Sequence, residues 1–347
     1  MKKLLVIGGG FAGSLIARRL ENNFKLILID TKDYFEYTPS VLRVIVEPEK
    51  IRRIQVKHKD YLKKSEILIG EVGEISDKYV LLAGKKIFFD YLCICSGSKY
   101  SLPIKEQNVI LSSRAENLRR SHFLLEKNDD ILIIGGGLVG VELAAEICSH
   151  YKDKRIKIVL ATDRIIERNH EKSISYAENF LKKNRVEIMK NERIIDSECG
   201  QGIYHSESGK KIKTDMAFLC TGAIPNFEFM LKNFKNKINE KNQIKVDEFL
   251  RLEGEKNIFV AGDINSISIE KTAQNAEHQA NIVIDNIIAI ERKLNMKKYI
   301  LGHTPMIISL GKWDGIFEYK NLVITGIIPA LMKKFIEFRE MFKIRYL

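Results

Sequence analysis

The chain has 347 residues, 45% of them apolar, with 57 Lys and Arg against 45 Asp and Glu, a formal charge of +12. That length accommodates two nucleotide-sized domains and a small third unit, and the lack of any apolar run of about 18 residues excludes a spanning helix. The basic excess invites a nucleic-acid or anionic-membrane partner, but it is dispersed, so nucleic acid is not expected. Its densest run, Lys50 to Lys64, reads as a solvated helix face.

Met1-Lys2-Lys3-Leu4-Leu5 resembles the start of a signal peptide, yet its apolar run stops at a glycine turn, so a cytoplasmic protein is expected. Lys2 excludes N-terminal myristoylation. Cys93, Cys95, Cys148, Cys199 and Cys220 form no C-x-x-C pair, so neither a metal site nor an active dithiol is expected.

In chain order, Leu4 to Ile7 is too short for a helix and fits a buried parallel strand. Gly8-Gly9-Gly10-Phe11-Ala12-Gly13 follows, and then a helical pattern to Leu20. Strand, Gly-x-Gly-x-x-Gly turn and helix open a dinucleotide-binding βαβ unit. Gly8 serves the tight turn, Gly10 admits a pyrophosphate, and Gly13 lets helix and strand pack. The helix N-terminus offers unpaired N–H groups to the phosphates. A second strand, Phe24 to Ile29, ends at Asp30, placed to accept hydrogen bonds from a ribose.

The aromatic stretch Tyr34 to Pro39 is either a ligand-facing loop or a loop packed on its own domain. Ile67 to Phe89 predicts an antiparallel meander, and Tyr91 to Cys95 a strand closing the first unit. A helix from Ala115 to Leu125 crosses to a second copy. There Ile131 to Ile134 leads into Gly135-Gly136-Gly137-Leu138-Val139-Gly140 and a helix to Ile147. The second strand, Ile156 to Leu160, runs into Ala161-Thr162-Asp163-Arg164. Thr162 is expected where an NADH-preferring protein has an acid. Asp163 then holds a 2′-hydroxyl, or Arg164 pairs with a 2′-phosphate, so NADH is expected and NADPH stays possible. A second meander falls between Glu187 and Ile212.

The repeat is tight. Gly84-Lys85-Lys86-Ile87, Asp90, Cys95 and Gly97 return as Gly209-Lys210-Lys211-Ile212, Asp215, Cys220 and Gly222, displaced by 125 positions. The glycine turns are displaced by 127. Two such units imply two dinucleotides. Asn257 to Asp263 is a third strand ending in an acid, and a helix follows from Thr272 to about Arg292. Its N-terminal end favours an anionic ring such as a reduced flavin. Beyond Leu301 come two strands around Lys312-Trp313-Asp314-Gly315, then a basic tail helix. Leu331, Phe335, Phe338, Phe342 and Tyr346 recur along it at helical spacing. That tail reads either as a membrane-surface helix or as a helix packed on its own protein or a dimer partner.

Over nearly its full length the chain resembles the two-dinucleotide flavoprotein disulfide reductase superfamily. Within it the chain is most similar to type II NADH:quinone oxidoreductases and the ferroptosis-suppressor type of NAD(P)H:quinone reductase. The resemblance rests on the two glycine turns with Asp30 and Glu142, on Cys95-Ser96-Gly97, on Ala261-Gly262-Asp263, on Lys271 to Gln279 and on Gly311 to Gly315. Within Lys271 to Gln279, His278 replaces a glutamine of the family's quinone motif.

The resemblance implies an α/β fold with two Rossmann-like domains, each with an antiparallel β-meander, and a small C-terminal α+β piece. The FAD domain is split over 1–112 and 227–300, the NAD(P)H domain is 113–226, and 301–347 is C-terminal. FAD falls to Gly8, Gly10, Phe11, Ala12, Gly13, Asp30, Ser96, Gly97, Gly262, Asp263, Lys271, Thr272 and Ala273. NAD(P)H falls to Gly135, Gly137, Leu138, Val139, Gly140, Glu142, Thr162, Asp163, Arg164, Thr221 and Gly222. A quinone is expected at Pro39, Ala273, Gln274, His278 and Gln279, with Glu142, Lys271 and Thr272 acting at the flavin. The implied activity passes hydride from NAD(P)H to FAD and two electrons on to the quinone without a cysteine relay. The implied location is cytoplasmic or peripheral on the inner face of the membrane, with a homodimer possible. The alternatives are a reductase of rubredoxin or ferredoxin, and a flavin-dependent binding protein resembling apoptosis-inducing factor.

Overall fold

The computed structural model describes residues 1–101, 103–105, 108–198 and 202–346. Two parallel sheets carry the chain. The first has the strand order Ile258–Val260, Tyr91–Ile94, Lys3–Ile7, Lys25–Asp30, Glu66–Ile69. Leu4 and Val6 point into one core and Leu5 and Ile7 into another, which is why this strand is apolar throughout rather than alternating. The second sheet runs Glu187–Met189, Arg155–Val159, Asp130–Ile134, Met216–Leu219.

Four helices shape the sites: α1 (Phe11–Leu20), α2 (Leu138–His150), α3 (Ala273–Glu291) and α4 (Ile327–Tyr346). Helices α1 and α3 pack together over the first sheet. Gly262 sits at their junction, where a Cβ would lie 3.8 Å from both Ala12 and Ala276. The chain crosses between the two sheets through a short antiparallel ribbon, Ser98–Lys99 with Ile224–Pro225. Asn226 Nδ2 donates to the Ser96 carbonyl at 2.8 Å, and Ser96 Oγ donates to the Asn226 carbonyl at 2.9 Å.

Each unit carries its antiparallel meander, Val72–Ile75, Tyr79–Leu82 and Lys85–Phe88 in one and Ile194–Glu198, Ile203–Ser206 and Lys211–Lys213 in the other. The strands at Glu66 and Glu187, expected within the meanders, are instead the outer parallel strands of the two sheets. The Lys50–Lys64 run is not one helix face. It breaks into a 3₁₀ turn Pro48–Arg53, a strand Gln55–Lys57 and a single helical turn His58–Tyr61. Pro48 and the paired strand Tyr34–Glu36 decide this, since backbone pairing there competes with helix.

The C-terminal piece has three antiparallel strands, Met306–Ser309, Gly315–Tyr319 and Leu322–Thr325, one more than expected. Helix α4 then folds back across both units. Its buried face is formed by Pro329, Ala330, Met341 and Ile344, whereas Leu331, Phe335, Phe338, Phe342 and Tyr346 are all exposed. The tail therefore packs on its own protein and still presents its apolar stripe outward. Among the described residues, no helix is long and apolar enough to cross a membrane.

Candidate dinucleotide sites and acceptor cleft

The two glycine turns divide their work identically. Gly8 and Gly135 adopt φ of +92° and +120°, and a Cβ at either would run into the carbonyl oxygen of Cys95 or Cys220. Gly13 and Gly140 lie against the carbonyls of Gly8 and Gly135. At Gly10 and Gly137, by contrast, a Cβ would meet nothing within 4 Å. These are the N-cap residues of α1 and α2. That open space leaves the unpaired helix N–H groups within reach of a pyrophosphate. Phe11 and Ala12 open α1, and Leu138 and Val139 open α2.

Asp30 is buried at the end of its strand and accepts from Gly9 N at 2.6 Å and Lys32 N at 3.0 Å. His58 Nε2 stands 3.3 Å from Asp30 Oδ2, and its Nδ1 is 2.6 Å from the Tyr61 hydroxyl. Burial would push the Asp30 carboxyl up; the neighbouring His58, with Lys32 and the Gly9 N–H, outweighs this and holds it at about 2. Asp263 accepts from Ser98 Oγ at 2.7 Å, and Gly97 carries φ of +62° beside it. Thr272 caps α3, its hydroxyl accepting from Asn275 N at 3.2 Å, and Ala273 is the first residue of that helix. Lys271 donates to the carbonyls of Asn265 (2.8 Å) and Ile267 (3.0 Å), which holds the turn ahead of the helix.

Gly8 N donates to Ile29 O and Gly135 N to Val159 O, so the residue in the place of Asp30 is Leu160, two positions before Thr162. Leu160 is buried and packs where a Cβ on Gly136 would lie. Thr162 Oγ1 donates to the Arg164 carbonyl at 3.0 Å, and Arg164 Nη1 is 2.8 Å from Glu171 Oε2 and its Nε 3.5 Å from Asp163. Thr221 and Gly222 lie exposed just beyond Cys220.

A narrow cleft of about 20 Å³, largely filled by paired charges, lies between the first unit, α2, the C-terminal strands and α4. Pro39, Ser40 and Arg43 line one side, Glu142 and Glu146 of α2 the second, and Ser309, Lys333 and Glu337 the third. Arg43 forks Glu146, with Nη2–Oε1 at 2.6 Å and Nε–Oε2 at 3.2 Å, and donates to the Gly311 carbonyl at 2.7 Å. Ser40 Oγ donates to Glu337. Glu142, expected at the flavin, faces this cleft. Its Oε1 accepts from Ser309 N at 2.7 Å and Lys333 Nζ at 2.6 Å.

Of the residues expected at a quinone, Pro39 lines this cleft and Ala273 is half-buried at the start of α3. Gln274 and His278 are exposed on α3, the His278 ring lying 5.2 Å from that of Tyr299. Gln279 lies on the inner side of α3. It is buried, and its Oε1 accepts from Gly262 N and Asn265 Nδ2, both at 2.7 Å. A side-chain amide there satisfies two donors of the Asp263 turn that a buried leucine would leave unpaired.

Sequence reasoning missed several residues. His58 carried no motif. Arg114 and Glu36, both buried, pair at 3.1 Å with Gln55 Nε2 2.6 Å from Glu36 Oε1. This buried pair holds Tyr34–Glu36 against the helix Leu111–Lys127, while Phe11 stands edge-on to Phe35 (5.2 Å) and Tyr37 (5.6 Å). The aromatic loop thus packs on its own domain, and only its end at Pro39 and Ser40 reaches the cleft. Lys333 was readable only as one charge of a basic tail.

Comparison with known proteins agrees with this architecture. Residues 2–280 match the family model described as pyridine nucleotide-disulphide oxidoreductase. The chain is 31% identical to apoptosis-inducing factor homolog A of Dictyostelium discoideum, over 96% of the chain and 88% of that protein. It is 26% identical to ferroptosis suppressor protein 1 of Taeniopygia guttata, over 95% and 92%. Among solved structures it is similar to the sulfide:quinone oxidoreductase of Aquifex aeolicus, with a TM-score of 0.85, 19% identity and coverage of 99% and 92%. It is also similar to NDH2 of Plasmodium falciparum in complex with NADH, at 0.84, 16%, 99% and 96%. At such identities these structures establish the fold alone. The open glycine positions and the acids at Asp30 and Asp263 fit FAD in the first unit, and the second glycine turn fits a nicotinamide nucleotide. The chain belongs to the pyridine nucleotide-disulphide oxidoreductase family, with FAD and NAD(P)H as its cofactors.

Proposed function

We propose that the chain is an NAD(P)H:quinone oxidoreductase that works without a cysteine relay. One observation carries this reading. The helix that closes the cleft with Lys333 and Glu337 is the helix that exposes Leu331, Phe335, Phe338 and Phe342. The exposed apolar face of that helix suits an acceptor delivered from a bilayer. A small redox protein needs a polar docking surface instead.

FAD, when bound, supplies the two-electron relay between nicotinamide and acceptor. The chain's own residues position and polarise. Gly10 and Gly137 admit the phosphates, Asp30 and Asp263 hold hydroxyls, and the α3 N-terminus capped by Thr272 favours negative charge on a ring beside it. Cys93, Cys95, Cys148 and Cys220 are buried. Burial pushes the thiols of Cys95 and Cys220 up to about 12 and that of Cys148 to about 11, so none offers a thiolate for a relay. Cys199 lies outside the described residues.

The membrane contact we infer is peripheral. Arg345 donates to the carbonyls of Arg52 (2.7 Å) and Arg53 (3.0 Å), which brings the basic segment beside the tail. Each basic group near an anionic surface contributes about 1 kcal/mol, and the exposed apolar stripe adds an unscreened share. The test compares full-length protein with a chain ending near Gly326, using a decyl-side-chain quinone in water and a long-chain quinone in anionic liposomes. Sedimentation with liposomes and long-chain turnover should both need the tail. Equal turnover by both chains with rubredoxin, and none with either quinone, would overturn the proposal.

A further inference from the structure

Asp30 and Asp263 account for the hydroxyl-bearing parts of FAD at the two ends of the groove. The diphosphate between them has helix N–H groups on one side, at Gly10, and no cation assigned to it. Lys105 lies at the Gly97–Ser98 turn. Its Nζ donates to the carbonyl of Ser98, whose hydroxyl in turn holds Asp263. A Cβ built on Gly97 would meet one group within 4 Å, and that group is the Lys105 ammonium, at 3.8 Å. Lys105 thus faces the open side of Gly97, a position expected to contact FAD.

Its surroundings leave it uncompensated. The charged groups facing it are Lys32, Asp30, Glu36 and Asp263, with the Tyr100 ring 5.8 Å away. Glu36 is committed to Arg114 and Gln55, Asp30 to Gly9 and His58, and Asp263 to Ser98. Among the described residues no acid comes within ion-pair distance of Lys105. A partly buried cation without a carboxylate is costly unless an anion joins it.

We propose that Lys105 is the cation that binds the FAD diphosphate, opposite the N-terminus of α1. The inference rests on FAD alone and is independent of the acceptor. Burial, with Lys32 nearby, lowers the Lys105 ammonium to about 8, and a bound diphosphate would draw that group back up. The contribution to FAD affinity is therefore complete below pH 8. It falls as the pH rises through 8, because binding must then restore a proton. The Tyr100 hydroxyl, pushed up to about 12 by burial and Asp263, does not titrate in this window.

The experiment strips flavin from wild type, K105M and K105R and titrates each with FAD and with riboflavin, which lacks phosphate, following flavin fluorescence from pH 6.5 to 9.5. A charge-assisted contact of this kind predicts about 10- to 100-fold weaker FAD binding by K105M at pH 7. Riboflavin binding should be nearly unchanged, K105R should stay close to wild type, and the alkaline loss of affinity should vanish in K105M. Equal losses for FAD and riboflavin would assign Lys105 to loop packing and overturn the proposal. So would a wild-type FAD affinity that is flat from pH 7 to 9.5, whether or not K105M folds.

Discussion

Lys333 Nζ lies 2.6 Å from Glu142 Oε1, so the last helix of the chain is clamped to the helix that opens on the second glycine turn. Both side chains are mostly buried, at 17% and 14% exposure, so removing one partner costs more than breaking a surface ion pair. It makes α4 a wall of the cleft rather than an appendage. Lys333→Met leaves Glu142 with the Ser309 N–H alone, at a cost of about 1–3 kcal/mol. Rapid mixing should show the half-reaction with NADH unchanged and the apparent KM for quinone raised. Slowing of both half-reactions together would place the pair at the nicotinamide side.

The glycines separate folding from binding. Gly10→Val projects into open space and should give a folded but colourless protein, whereas Gly13→Val meets the Gly8 carbonyl and should not accumulate. Gly137→Val should stay yellow and lose reduction by NADH. Circular dichroism and flavin absorbance distinguish these cases, and a yellow Gly10→Val would contradict the placement of the diphosphate.

Cofactor choice should be set at Leu160. Leu160→Glu puts a carboxylate where Asp30 stands in the first unit and should penalise NADPH relative to NADH by about tenfold, the scale of one pKa-sized electrostatic interaction. Thr162→Glu, exposed two residues on, should do less. The ratio of kcat/KM for the two nucleotides measures both, and a larger effect at Thr162 would mean that the sugar lies beyond the strand end.

What was legible in the sequence was whatever repeats or obeys backbone rules. Gly8 and Gly135 need positive φ, and Asp30 ends a strand, so motif and spacing revealed them. Thr162 stands two residues past the strand end because the apolar run continues through Leu160, and only the strand register shows that Leu160 holds the place Asp30 has in the first unit. Gln279 carried a motif, and its buried hydrogen bonds to Gly262 and Asn265 on the Asp263 turn left no trace in the spacing. His58, Arg114 and Lys333 act through partners 28, 78 and 191 residues away. Pairings of that range are products of the fold, and one sequence holds no local trace of them. The tail was legible as amphipathic, but only packing shows that its aromatic stripe is the face turned outward.

Glu277 gives a pH prediction. It faces Glu340, Arg339 and Lys343 of α4, Arg18 of α1 and Tyr37. Burial, reinforced by Glu340, raises it to about 7 despite the two cations. With the folded value raised, docking of α4 is strongest below about 4.5, weakens as the pH rises through 7, and is then constant. Hydrogen exchange of α4 in wild type should speed up between pH 5 and 8 beyond the intrinsic rate, and Glu277→Gln should remove that excess. An identical excess in the variant would sink the assignment.

In the proposed function, electrons leave the reduced flavin for a quinone. An anaerobic experiment tests this: reduce the purified protein with one equivalent of NADH, then mix it with a quinone, with oxidised rubredoxin or with aerated buffer, and follow flavin reoxidation by its visible absorbance. Quinone should restore the oxidised spectrum at least about 100-fold faster than the other two, in step with quinol formation. Reoxidation by rubredoxin faster than by any quinone, or a flavin that NADH does not reduce, would contradict the claim.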